Sequence, residues 1–326
     1  MRMTQITAVC AGLAVTATIV SGCSSSGSAA EQGQPEVWAL LPQGTDQPYG
    51  TTYLPPFQET AEKLGLNVTT TNSQYDSDTQ ASDCEVAVAA RPELIILWPA
   101  VTSTVRPCLV RAKEAGIPVT ITNSDVLPED KELTAGYSGP DTYGQGAASA
   151  SIMCELADGK PINILVVNGL TGNYTAINRR QGFVETIARD CPNVTIAAEQ
   201  PGDWSKGTAQ TVTSEMLTAV GAQNVQGIFA ADDTMVAGAI DALKAQGIDP
   251  KPLFITSIGN TKLGNPLVKS GELDGTVFQS SVWDGRNAAV VADEVLKNGP
   301  MTEDLFMPSV IVTEENVDSP DVTPEW

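Results

Sequence analysis

The residues best able to do chemistry in this chain stand just beyond short apolar runs. Tyr49 follows the run at 37–41, Trp98 the run at 94–97, and Asn123 the run at 119–122. Asn173, Asn178 and Arg179 follow 162–167, Trp204 follows 194–198, Asp232 follows 227–230, and Asn260 follows 254–257. Gln279 closes a run of its own at 275–279. Flat aromatic faces cover the apolar C–H face of a sugar or polyol, while Asp, Asn, Gln and Arg bond its hydroxyls. A site of this mixture would hold a small hydroxyl-rich molecule and reject analogues that lack a hydroxyl. Each residue also has a plainer reading, since an Asp or Asn after a strand is often a helix N-cap and a Trp is often core. Paired carboxylates raise an enzyme reading as well: Asp203 and Asp232 on facing loops would suffice for a glycoside hydrolase.

The elements that must position these residues alternate strand and helix. The strands at 37–41, 67–71, 94–97 and 119–122 are interleaved with helical periodicity at 52–64, 79–90 and 103–115. A second series sets strands at 162–167, 194–198, 227–230 and 254–257 among helices at 142–156, 176–188, 206–219 and 234–246. A strand at 275–279, a helix at 284–296 and a strand at 309–312 complete it, and the acidic tail beyond Thr313 is read as a peripheral wrap or a disordered end. Alternation of this kind predicts βαβ units and parallel sheets, with ligands collecting beyond the carboxyl ends of the strands. The fold class is α/β, in two halves that repeat one architecture.

Totals exclude much. The chain has no histidine, which removes Ser-His-Asp and Cys-His catalysis and histidine-ligated zinc. With 39 Asp+Glu against 18 Lys+Arg, it lacks the clustered positive charge of a nucleic-acid surface. Gly169-Leu170-Thr171-Gly172 has no P-loop lysine and no GxGxxG follows a strand, so no cofactor is expected, and no CxxC pair points to a metal.

The N-terminus fixes the compartment. Arg2 and the apolar stretch 6–20 read as a signal peptide over 1–22, too short to span a membrane. Val20-Ser21-Gly22-Cys23 resembles a bacterial lipobox, which would place a diacylglyceryl group on Cys23, and the Ser-rich stretch to residue 35 reads as a flexible tether. An extracytoplasmic protein, lipid-anchored to the outer face of the cell membrane or on the periplasmic side, is therefore expected. Besides Cys10 and Cys23, the chain holds Cys84, Cys108, Cys154 and Cys191. In an exported chain these suggest disulfides with three possible connectivities; Cys84–Cys108 with Cys154–Cys191 is preferred, each pair on neighbouring helices flanking one strand. Four buried free thiols are the alternative.

Glu114-Ala115-Gly116-Ile117-Pro118-Val119, Arg179-Arg180-Gln181-Gly182-Phe183, Phe229-Ala230-Ala231-Asp232-Asp233 and Val277-Phe278-Gln279 resemble the ribose-binding-protein family of ABC sugar importers, over residues 36–312. The resemblance implies a type I periplasmic-binding fold, two Rossmann-like lobes (residues 36–137 with 281–308, and residues 138–279 with 309–319) joined by a three-segment hinge that closes on a sugar or polyol. It also implies an ABC permease in the cytoplasmic membrane as partner and a monomeric binding protein with no catalysis of its own. Tyr49, Arg179, Trp204, Asp232 and Gln279 match family positions. Asn123 stands for a usual aspartate, Ser124 for an arginine that clamps hydroxyls, and Gly259 for an aspartate, with Asn260 adjacent. These departures leave a different pentose, a hexose or a linear polyol as fitting as ribose, and a furanone or nucleoside as the non-sugar alternative. Arg179 is expected in the cleft rather than the core, so that its removal would spare the fold.

Overall fold

A computed structural model describes residues 33–326. The expected signal peptide, Cys10, Cys23 and most of the expected tether lie outside the described residues. In chain order the elements are β1 (Glu36–Leu41), α1 (Pro48–Leu64), β2 (Asn67–Asn72), α2 (Ser77–Ala90), β3 (Leu94–Leu97), α3 (Arg106–Glu114), β4 (Val119–Thr122) and β5 (Gly136–Pro140). There follow α4 (Thr142–Ala157), β6 (Ile162–Asn168), α5 (Tyr174–Asp190), β7 (Val194–Pro201), α6 (Lys206–Val220), β8 (Gly227–Ala230), α7 (Asp233–Ala245), β9 (Phe254–Thr256) and α8 (Gly264–Ser270). The last are β10 (Thr276–Val277), α9 (Ser281–Asn298), β11 (Leu305–Met307) and β12 (Ile311–Val312).

Two parallel sheets result. The first has the order β11-β5-β4-β3-β1-β2, the second β7-β6-β8-β9, and antiparallel β10-β12 continues the second through bridges at Gly275 and Phe278. Both sheets place their first strand inside their second and third, so each has a switch point between loops that leave in opposite directions. Strand β3, Leu-Ile-Ile-Leu, shows why such strands read as continuous apolar runs. Leu94 and Ile96 join the core on one face of the first sheet, and Ile95 and Leu97 the core on the other. A third core gathers the faces of the second sheet around Val166, Phe183 and Phe229, whose rings stack 4.0 Å apart.

Several expectations shift. The boundary expected after residue 137 falls inside β5, which runs to Pro140 within the first sheet. Helix α1 begins at Pro48, whose fixed φ suits a first turn, so Tyr49 belongs to a helix rather than a loop. Beyond β12 the chain is ordered: Val317 and Val322 are buried in the core of the second sheet. The chain passes between the sheets after Pro140, through 278–280 and through 308–310. Disulfides join Cys84 to Cys108 and Cys154 to Cys191.

Candidate functional site

Loops at the carboxyl ends of both sheets enclose a cavity of about 650 Å³, its open mouth included. Of the residues singled out from the sequence, Tyr49, Trp98, Asn123, Asn173, Arg179, Trp204, Asp232 and Gln279 line it. Asn178 does not; one residue before Arg179, it points about 100° around α5 and is partly exposed. Asn260 does not either. It is fully buried, its amide donates to the Val322 carbonyl, and its Oδ1 accepts from Asn265 Nδ2 at 3.2 Å. Asn260 thus anchors the segment after β12 instead of facing a ligand. Ser124 is buried, and neither it nor Gly259 is among the lining residues.

Arg179 sits in the second turn of α5, positioned by the N-cap Asn173, whose Oδ1 accepts from Ala176 N. Its Nε and Nη2 donate to Gln145 Oε1 at 3.1 and 2.8 Å, and Nη1 donates to the Ala231 carbonyl at 2.7 Å. Nη2 also donates to Gln279 Oε1. Burial lowers its pKa to about 10, against the pull of Asp232, so it stays a cation at neutral pH. Asp232 caps α7 by accepting from Met235 N at 2.7 Å while facing the cavity, so the cap and the candidate ligand contact coexist in one carboxylate. Burial pushes its pKa up to about 7, with the Met235 amide and Arg179 pulling it down. Trp204 lies 5.9 Å from the Arg179 guanidinium and has left-handed backbone, as does Asn123. Such conformations cluster at functional sites. Gly169 leaves room for the Trp204 ring, which any Cβ there would strike.

A buried relay links the two sheets beneath the cavity. Gln279 Nε2 donates to Tyr49 Oη at 3.0 Å, and Tyr49 Oη donates to Asp284 Oδ2 at 2.7 Å. Asn123 Nδ2 donates to the same oxygen at 2.6 Å. Burial pushes Asp284 up to about 7, although the hydrogen bonds from Asn123, Tyr49 and Thr122 oppose it. An unfolded Asp titrates near 3.9. The folded chain therefore binds a proton here that the unfolded chain does not, and this contribution to stability falls as pH rises from about 4 to about 7. Thermal melts of Asp284→Asn should accordingly lose less between pH 5 and pH 8 than those of the wild type; an unchanged difference would remove Asp284 as the source.

At one edge of the cavity the loop after β3 meets the loop before α5. Thr102 N donates to the Gly172 carbonyl at 3.1 Å, Tyr174 N to Thr102 Oγ1 at 3.2 Å, and Asn173 Nδ2 to the Ala100 carbonyl at 3.1 Å. Asn173 thereby spends its side chain on a cap and on this closure. Sequence reasoning missed Gln43, Gln47, Pro48, Tyr75, Thr175, Thr234 and Trp326 as lining residues. Gln43 and Tyr75 bond each other at 2.6 Å and follow β1 and β2, where the search that found Trp98 would have met them. Thr175 is buried with no partner for its hydroxyl. Asp203 is exposed and outside the lining, which leaves Asp232 as the cavity's one carboxylate.

The sequence profile of the family described as "Periplasmic binding protein domain" matches residues 38–300. The galactofuranose-binding protein YtfQ of Escherichia coli (strain K12) is 28% identical over 295 residues, 89% of this chain and 91% of that protein. A xylitol-binding protein of Mycolicibacterium smegmatis is 28% identical over 258 residues, covering 79% of this chain and 72% of that one. Among solved structures, that of a galactofuranose binding protein superposes with a TM-score of 0.80 at 25% identity, over 87% of this chain and 96% of the other.

Proposed function

The chain belongs to the periplasmic binding protein family, and from that premise we propose that its cavity captures one monosaccharide or polyol by closure of the two sheets around it. It is an extracytoplasmic sugar- or polyol-binding protein of an ABC importer, not an enzyme, in keeping with its relatives for galactofuranose and xylitol. The observation that carries the reading of this site is that aromatic rings and hydrogen-bonding groups from both sheets line one cavity. Tyr49 and Trp98 come from the first sheet's side, and Trp204, Arg179 and Asp232 from the second's. Arg179 and Gln279 are tied by their protein partners, so they meet a ligand already oriented, which reduces the entropy lost on binding. A two-lobe division with its first boundary moved to Pro140, anchoring through Cys23, delivery to a membrane permease and action as a monomer belong to the same proposal.

A thermal-shift screen of the purified protein against furanoses, pyranoses, linear polyols, cyclitols and nucleosides tests it. A solute at about 100 times its dissociation constant adds about 2.7 kcal/mol. One sharp response among sugars or polyols is expected. A response confined to nucleosides, or none anywhere in the panel, would overturn the reading.

A further inference from the structure

The segment that follows β12 reaches into the site. Val317 and Val322 are buried in the core of the second sheet, and the Val322 carbonyl is held by Asn260. Four residues on, Trp326 packs against the core of the first sheet and lines the cavity. Its ring meets Tyr49 edge-on, centroids 4.9 Å apart, and its indole N–H donates to the Gln279 carbonyl at 3.2 Å. Between these anchors lies Glu325. Its carboxylate accepts from the hydroxyls of Ser280 and Ser281 at 2.7 and 3.1 Å and from Val282 N at 2.9 Å, at the N-terminus of α9. There the helix dipole and the free amide favour a negative charge.

We propose that Trp326 is a specificity-determining wall of the solute site, selecting cyclic solutes over linear ones, and that Glu325 is the residue that positions it. The inference rests on the solute reading above. A ring sugar or cyclitol offers a flat C–H face to an indole, whereas an extended polyol offers a narrower and more mobile one. Trp326 adds to Tyr49 and Trp98 on the first sheet's side an aromatic surface that is held at both its ring nitrogen and its preceding side chain. An indole so fixed loses little freedom when a ligand packs on it.

Affinities of wild type, Trp326→Leu, Trp326→Phe and Glu325→Ala, measured calorimetrically for a cyclic solute and a linear polyol from the screen, test this. Trp326→Leu fills space without a flat face, and Trp326→Phe keeps one. We expect Trp326→Leu to weaken the cyclic solute about tenfold or more and the linear one by less, with Trp326→Phe staying within about threefold of wild type. Glu325→Ala should shift the same ratio, and adding it to Trp326→Leu should change little further, as for coupled residues. Wild-type affinities and an unaltered ratio in Trp326→Leu would overturn the proposal while leaving the solute reading standing. A panel that the wild type ignores altogether overturns the solute reading and this inference with it.

Discussion

Arg179→Ala is expected to lower solute affinity at least about a hundredfold and to destabilise the empty protein as well. The first effect follows from place: Arg179 lines the cavity beside Asp232 and Trp204, and hydrogen bonds to a charged group contribute about 1.5–3 kcal/mol each. The second corrects the expectation that the fold would be spared. Arg179 is only 4% exposed, and its removal strands Gln145 Oε1 and the Ala231 carbonyl, while Gln279 Oε1 keeps only the Gln145 Nε2 donor at 3.3 Å. Buried acceptors left without partners cost about 1–3 kcal/mol apiece. Isothermal calorimetry with thermal melts separates the two effects. A variant that binds like wild type removes Arg179 from the site, and one that melts like wild type refutes its structural role.

Removing either disulfide is expected to cost the second largest amount, with no loss of affinity. Cys84 and Cys108 close a loop of sequence separation 24, and Cys154 and Cys191 one of 37. The chain-entropy relation gives about 3.5 kcal/mol for loops of this size. The first bridge ties α2 to α3 beside the first sheet, and the second ties α4 to the end of α5 beside the second. Neither crosses between the sheets, so closure is left free. Denaturant titration of Cys84→Ser/Cys108→Ser and of Cys154→Ser/Cys191→Ser should show these losses. A change below about 1 kcal/mol in both would mean that the unfolded chain is not restrained as the relation assumes.

Periodicity made most elements legible because strands such as β3 and β6 are apolar on both faces and bounded by turns. Strand β5, Gly-Tyr-Ser-Gly-Pro, was not, since Gly and Pro read as loop; its register is imposed by β4 and β11 on either side. Arg179, Asp232 and Trp204 were legible as cavity-lining residues because a rule of topology places ligands after strands. The same rule misassigned Asn260, whose amide is satisfied by Val322, some sixty residues onward and invisible to any local pattern. Trp326 carried no signal at all: its segment is acidic and proline-containing, and only tertiary contacts bring it to Tyr49.

The three hydrogen bonds between the Ala100–Thr102 and Gly172–Tyr174 loops bear on time as well as affinity. On the proposed reading, a solute held behind these loops leaves only once the protein has broken contacts with itself, and those contacts are the same whichever solute is inside. Part of the barrier to escape is thus common to all cargoes. Chemically different sugars would then share a floor to their residence time, while their differences in capture are expressed before the loops meet. A partner that parts these loops would discharge any of them at a similar pace.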